Sequence, residues 1–188
     1  RGRSRRWRWR RWLFSLRQCR KSQKNNKSLT SIKIKKIYLP PSPFFKDKLY
    51  PILKKNKNLT SLELIGVNLP LILGVARALK KKKCCNKLVA LDLSSNKIND
   101  VAHYQLLSEA IGNHHSLSYV NLSNNKLGKN VDHLSVVLKG SGNLESLILD
   151  SNFIDSDGID LVIDFLKSNK TLTTLSLGDN IFGAKGLK

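Results

Sequence analysis

Aliphatic residues recur along the chain in a register that alternates over a short stretch and then changes period. The clearest copy is Leu88-x-x-Leu91-x-Leu93-x-x-Asn96-x-Ile98. Alternation predicts a strand whose leucines point inward and whose intervening side chains point outward. The apolar residues that follow have helical spacing. The sequence therefore predicts a repeating unit made of one strand and one helix.

The register occurs six times, starting at residues 29, 59, 88, 117, 144 and 172, with spacings of 30, 29, 29, 27 and 28 residues. The last four copies are regular. The first two are divergent and carry Ile37 and Val67 where the others carry Asn. A period of this length indicates stacked units that bury a shared core, because one unit alone cannot cover its apolar face.

This pattern resembles the leucine-rich repeat, specifically the long, ribonuclease-inhibitor-like class. The resemblance implies an α/β solenoid, a curved horseshoe with a parallel sheet on its concave face and helices on its convex face. We expect residues 28–188 to form an array of about six repeats, truncated at its C-terminal end.

The asparagine of each regular copy lies where the chain leaves its strand. A buried side-chain amide can satisfy backbone groups there that no strand or helix pairs. We expect these residues to form a ladder along the solenoid. They are Asn96, Asn125, Asn152 and Asn180.

Three helices are predicted from apolar faces after the third, fourth and fifth strands. The predicted faces are Val101, Leu106, Leu107, Ala110 and Ile111; Val131, Leu134, Val137 and Leu138; and Ile159, Val162, Ile163 and Leu166. Asp155 or Asp157 is expected to cap the last of these helices.

The register also identifies the side chains that face outward on the concave sheet. Partners of repeat arrays lie against this surface, and Tyr119 and Ile148 are large apolar residues among small polar ones. The candidate partner-binding residues are Glu63, Asp92, Tyr119, Asn121, Ile148, Asp150 and Ser176.

The net charge of +21 belongs mainly to the N-terminal half. Residues 1–27 hold 12 Arg and Lys and no acid, whereas residues 100–188 hold 7 bases and 10 acids. Residues 1–27 are predicted to be a disordered basic leader. The alternatives are contact with an anionic membrane surface, or less favoured contact with nucleic acid. The residues for either contact are Arg6, Trp7, Arg8, Trp9, Arg10, Arg11 and Trp12.

The sequence contains no recognisable catalytic, cofactor-binding or metal-binding motif, so the chain is predicted not to be an enzyme. His103, His114, His115 and His133 lack spaced ligand partners and are expected at the solvated surface. Cys19, Cys84 and Cys85 are expected to be reduced thiols in a cytoplasmic protein.

A narrower resemblance is to the CARMIL family of actin capping protein regulators. It rests on residues 166–172 and on Leu175-Ser176-Leu177-Gly178-Asp179-Asn180. The family resemblances imply a protein-interaction scaffold in cytoskeletal or signalling assembly. Two alternatives stay open: a GTPase-activating regulator of a Ran-type small GTPase, and the ligand-sensing repeat region of a nucleotide-binding immune receptor.

Overall fold

A parallel sheet with one strand from each repeat organises the computed structural model, which describes residues 29–36, 50–54, 56–67, 69–81, 84–134 and 142–183. Its strands are β1 (Ser31–Lys35), β2 (Ser61–Ile65), β3 (Ala90–Asp92), β4 (Tyr119–Asn121), β5 (Ser146–Ile148) and β6 (Thr174–Ser176). They lie side by side in chain order. Because each unit adds next to the preceding one, the predicted solenoid is confirmed.

Among the described residues, α1 (Leu69–Leu79), α2 (Val101–Gly112) and α3 (Ser156–Ser168) connect successive strands. Residues 50–54, between β1 and β2, are also helical. A 3-10 turn covers Gly128–Val131, and residues 132–134 continue as helix. A full helix per repeat matches the long repeat class for these three units. Residues 135–141, with Val137 and Leu138 of the face predicted after the fourth strand, lie outside the described residues.

The core is a continuous stack of the inward strand residues, covered by the helices. Parallel pairing places Leu62 beside Leu91, Leu91 beside Val120, and Val120 beside Leu147. These four side chains are buried. Ile32 of β1 and Leu175 of β6, on the outermost strands, are only partly buried. The predicted inward positions are therefore confirmed.

The predicted face of α2 is wrong at its first residue. Val101 is 52% exposed, and Tyr104 is buried instead, with its hydroxyl donating to the carbonyl oxygen of Ile98 at 2.9 Å. Asp100 caps this helix by accepting the N–H of Ala102. Capping at Asp100 makes Val101 the first helical residue and turns its side chain away from the sheet.

The predicted face of α3 needs a similar correction. Ile159 and Val162 are buried as expected, but Ile163 and Leu166 are exposed at 42% and 36%. Phe165 occupies the buried position instead. The Asp155 carboxylate caps this helix by accepting the N–H of Gly158 at 3.0 Å, which decides between the two predicted capping residues.

Candidate functional site

Three columns of outward side chains run across the concave sheet. Parallel pairing confirms the predicted register, with Ser61, Ala90, Tyr119, Ser146 and Thr174 aligned in the first column. The second column holds the central candidate residues, which are Lys33, Glu63, Asp92, Asn121, Ile148 and Ser176. The candidate residues from five separate repeats therefore share one face with Lys33 of the first repeat.

The asparagine ladder positions this face, and its prediction is confirmed. The Asn125 side-chain oxygen accepts the N–H groups of Asn96 and Ile98, at 3.1 and 3.2 Å. Its amide nitrogen donates to the carbonyls of Leu93 and Leu122, at 3.0 and 2.8 Å. Each link therefore joins its own strand end to the preceding repeat. Because backbone groups buried without partners are costly, the ladder fixes where strands β3 to β6 end.

The other links repeat this pattern. Asn96 accepts from Val67 and donates to Leu64 and Leu93. Asn152 donates to Leu122 and Leu149. Asn180, at the last strand, accepts from Asn152 and Ile154 and donates to Leu149 and Leu177.

Carboxylate and amide side chains at the strand ends are held in fixed orientations. Oδ1 of Asp92 accepts the N–H of Ser94 at 2.8 Å, and Oδ1 of Asn121 accepts the N–H of Ser123 at 2.9 Å. Such short turns form locally, because Asp and Asn readily bond the backbone two residues on. Ser94 follows Asp92 by two residues, which is an outward position in the strand register, but it is buried beside this turn at 8% exposure.

Asp150 is held by the neighbouring repeat rather than by its own turn. Its Oδ1 accepts the hydroxyl of Ser176 at 2.6 Å and the N–H of Gly178 at 2.7 Å. A side chain held by two donors loses little further conformational entropy when a partner binds. Asp92 and Asp150 are both half-buried acceptors with a fixed direction.

Tyr119 and Ile148 are the large apolar side chains on strands β4 and β5. Both are partly buried. Pairing aligns Ile148 with Asn121, two residues beyond Tyr119. Neighbouring parallel strands are about 4.8 Å apart and two residues span about 6.7 Å, so the two side chains start about 8 Å apart. They form an apolar patch that lies two residues before Asn121 on β4 and two residues before Asp150 on β5.

The β1 end of the concave face carries positive charge, opposite in sign to the carboxylates Asp92 and Asp150. Lys33 forms an ion pair with Glu63, and this hydrogen bond raises the pKa of the Lys33 ammonium. Glu63 is thus the candidate residue whose carboxylate already has a cationic neighbour. The face is therefore cationic at β1 and anionic from β3 onward.

Two exposed apolar residues at the rim of the sheet were missed by the sequence analysis. Phe153 and Ile181 follow the ladder residues Asn152 and Asn180 and are 57% and 59% exposed. Lys97 and Lys126 occupy the same place in the two preceding repeats. A change from Lys to apolar residues at one register position was the signal that could have identified them.

His114 corrects the expectation of surface histidines. It is only 5% exposed, and its Nδ1 lies 3.4 Å from the hydroxyl of Ser116. Burial lowers the pKa of this imidazole, although the nearby backbone carbonyls of Cys84 and Cys85 act in the opposite direction. The loop after α2 packs against the start of the preceding repeat, where the Ser116 hydroxyl donates to the Leu88 carbonyl at 2.9 Å, and a residue outside any apolar face becomes buried there.

Cys84 and Cys85 are free and buried, with their sulfurs 3.5 Å apart. Among the described residues, no group of three or more His, Cys, Asp or Glu side chains is placed to hold a metal ion. The same part of the chain contains no helix that is long and apolar enough to cross a membrane. Cys19 and the Arg/Trp segment Arg6–Trp12 lie outside the described residues.

The parallel sheet, the alternating helices and the asparagine ladder define the chain as a leucine-rich repeat protein. No family model matches it. The mouse protein "NACHT, LRR and PYD domains-containing protein 14" is 37% identical over 145 residues. The match covers 74% of this chain and 14% of the mouse protein. The chain thus spans about one seventh of that relative.

Two solved structures share the fold. One is "Leiomodin-1 Actin-Binding Site 2", with a TM-score of 0.60 and 17% identity, covering 77% of this chain and 83% of that one. The other is the tropomodulin C-terminal domain of Caenorhabditis elegans, with a TM-score of 0.62 and 11% identity, covering 81% and 91%. At these identities the likeness concerns the fold alone.

Proposed function

We propose that this protein is a non-enzymatic interaction module that binds a protein partner through the concave sheet face. The observation that carries the proposal is the fixed side-chain set on that face. The inward leucines and the ladder asparagines hold the fold together, whereas Asp92, Tyr119, Ile148 and Asp150 point away from the core. Partly exposed apolar residues among oriented polar groups are typical of binding hot spots.

Actin is the first partner to test. The leiomodin-1 structure is described as an actin-binding site, and the tropomodulin domain has a similar fold. The resemblance of residues 166–180 to CARMIL repeats supports the same direction. We propose cytoskeletal assembly as the setting, with a cytoplasmic location.

The mouse relative favours a second candidate function. Its printed name joins a leucine-rich repeat region to NACHT and PYD domains, and its matched part is a small share of its length. The chain would then correspond to the ligand-sensing repeat region of a larger receptor of the nucleotide-binding class. The concave face is the proposed binding surface in both cases.

The test uses the purified chain with monomeric and filamentous actin in separate binding assays. A concave variant, Tyr119→Ala with Ile148→Ser, removes the apolar patch without touching the ladder. The matched control, Leu161→Ala with Ile163→Ala, changes two exposed apolar residues of α3. We expect the concave variant to bind at least about tenfold more weakly, because hot-spot truncations cost about 2 kcal/mol or more, and the control to bind normally.

Two outcomes of the actin assays and one separate GTP hydrolysis assay decide between the candidate functions. Equal binding by both variants contradicts the concave assignment. Failure to bind either form of actin removes the cytoskeletal proposal, and a capture experiment then has to find a protein that the control retains and the concave variant loses. Acceleration of GTP hydrolysis by a Ran-type GTPase supports the GTPase-regulator alternative instead.

Contact of residues 1–27 with membranes stays a separate prediction. Deleting these residues should abolish salt-sensitive binding to anionic vesicles and leave the circular-dichroism spectrum of the repeats largely unchanged. Undiminished vesicle binding by the shortened chain contradicts it.

A further inference from the structure

Charge is distributed unevenly along the concave face. The outward columns of β3 to β6 contain the carboxylates of Asp92 and Asp150 and no Lys or Arg. The outward positions of β1, by contrast, include Lys33 and Lys35. A ligand confined to these outward columns therefore meets only negatively charged side chains, and the exposed Lys97 and Lys126 lie outside the columns. Anionic partners, including nucleic acid, are disfavoured at this part of the face.

The two carboxylates have a defined separation. Pairing aligns Asp92 with Asn121 and Asn121 with Ile148, and Asp150 follows Ile148 by two residues. Two strand spacings of about 4.8 Å and two residues along the strand place the carboxylates about 12 Å apart. An extended chain advances about 3.3 Å per residue, so residues four positions apart are about 13 Å apart.

The apolar patch lies to one side of the line that joins these carboxylates. Tyr119 and Ile148 belong to β4 and β5, whereas Asp92 ends β3 and Asp150 follows β5. Oδ1 of Asp92 accepts the N–H of Ser94. Oδ1 of Asp150 accepts the hydroxyl of Ser176 and the N–H of Gly178. The line between the two carboxylates therefore crosses β4 at Asn121 and Ser123, with the apolar patch along one side.

We infer that the face over β3 to β6 binds an extended basic segment of the partner protein. Two cationic side chains about four residues apart contact Asp92 and Asp150, and an apolar side chain between them lies over β4 and reaches sideways to Ile148 at the edge of the apolar patch. This inference rests on the proposed function and specifies the chemistry of its partner.

The experiment uses fluorescent peptides with the full chain. One peptide has the central sequence Lys-Thr-Leu-Thr-Lys with neutral flanks, and its counterpart is Glu-Thr-Leu-Thr-Glu. Fluorescence anisotropy is measured at low and high salt. We expect only the basic peptide to bind, with weaker binding at high salt because exposed charges are screened.

The decisive variant is Asp92→Asn with Asp150→Asn. Asn121 occupies the position of Asp92 in the next repeat and makes the same turn, so the substitution at Asp92 preserves the local fold. The expected loss of affinity is about two- to fivefold for each carboxylate, the range for partly exposed ion pairs. The control, Asp160→Asn with Asp164→Asn, makes the same charge change on the exposed surface of α3 and should bind normally.

Equal binding of both peptides, binding of neither, or equal weakening by both double variants overturns the inference. The proposed function is judged separately, by whether the partner protein is lost from the Tyr119→Ala, Ile148→Ser variant. A partner that depends on that patch but ignores the two carboxylates leaves the proposed function standing and removes the basic-segment inference.

Discussion

Strands β1 and β2 pair with each other over five residues, whereas the regular repeats that follow pair over three. The regular repeats have a ladder asparagine at the strand end, and the second repeat has Val67 there. Val67 nevertheless donates its N–H to the Asn96 side chain at 2.7 Å, and Asn96 donates to the Leu64 carbonyl. One asparagine therefore serves both sides of a repeat junction, so a repeat without it can still pack against one that has it.

The largest effect is expected from Asn125→Ala. The change removes the partner of two backbone N–H groups and two carbonyls in a side chain that is 2% exposed. Because each buried unsatisfied group costs about 1–3 kcal/mol, the free energy of unfolding should fall by about 4 kcal/mol or more. Urea unfolding followed by circular dichroism measures it.

Two controls sharpen this test. Asn180→Ala affects a ladder position that is only half-buried, where water can replace the amide, and should cost clearly less. Asn113→Ala removes an exposed amide at the end of α2 and should cost less than about 1 kcal/mol. Equal losses for Asn125 and Asn113 contradict the structural role of the ladder.

The second prediction compares the cores of the two regions. Leu62 in the divergent part and Leu91 in the regular part are paired in neighbouring strands and fully buried. Leu62→Ala and Leu91→Ala should each cost about 3 kcal/mol through lost burial and the resulting cavity. A much smaller loss for Leu62, measured by the same urea unfolding, means that the divergent repeat packs more loosely.

The smallest effect concerns His114, whose ring lies beside the Cys84–Cys85 backbone at the junction between the regions. Its folded-state pKa is lowered by burial, so the unfolded chain binds the proton more tightly. Its contribution to stability is therefore present above its unfolded pKa of about 6.5 and is lost as the pH falls through the folded pKa.

The difference between the urea unfolding midpoints at about pH 7.5 and about pH 5.5 measures the pH dependence of stability. It should shrink in His114→Gln and persist in His115→Gln, which changes an exposed histidine. Unchanged pH dependence in His114→Gln means that another group causes it.

Sequence alone predicted the repeat unit, the inward strand residues, the asparagine ladder and the alignment of the concave columns. These four predictions depend on a period of two along each strand and on a unit repeated at nearly constant length. Each copy of the repeat is therefore independent evidence for the same strand register. The identity of the partner-binding residues on that face stays a prediction.

Only the tertiary structure decided which helical residues face the core. Helical spacing gives the separation of apolar residues but not the direction of the face, so Tyr104 replaced Val101 and Phe165 replaced Ile163 and Leu166. Burial of His114 likewise depends on the packing of its loop against the start of the preceding repeat. The strand pattern repeats and is visible in the sequence, whereas helix rotation and loop packing depend on contacts with neighbouring repeats.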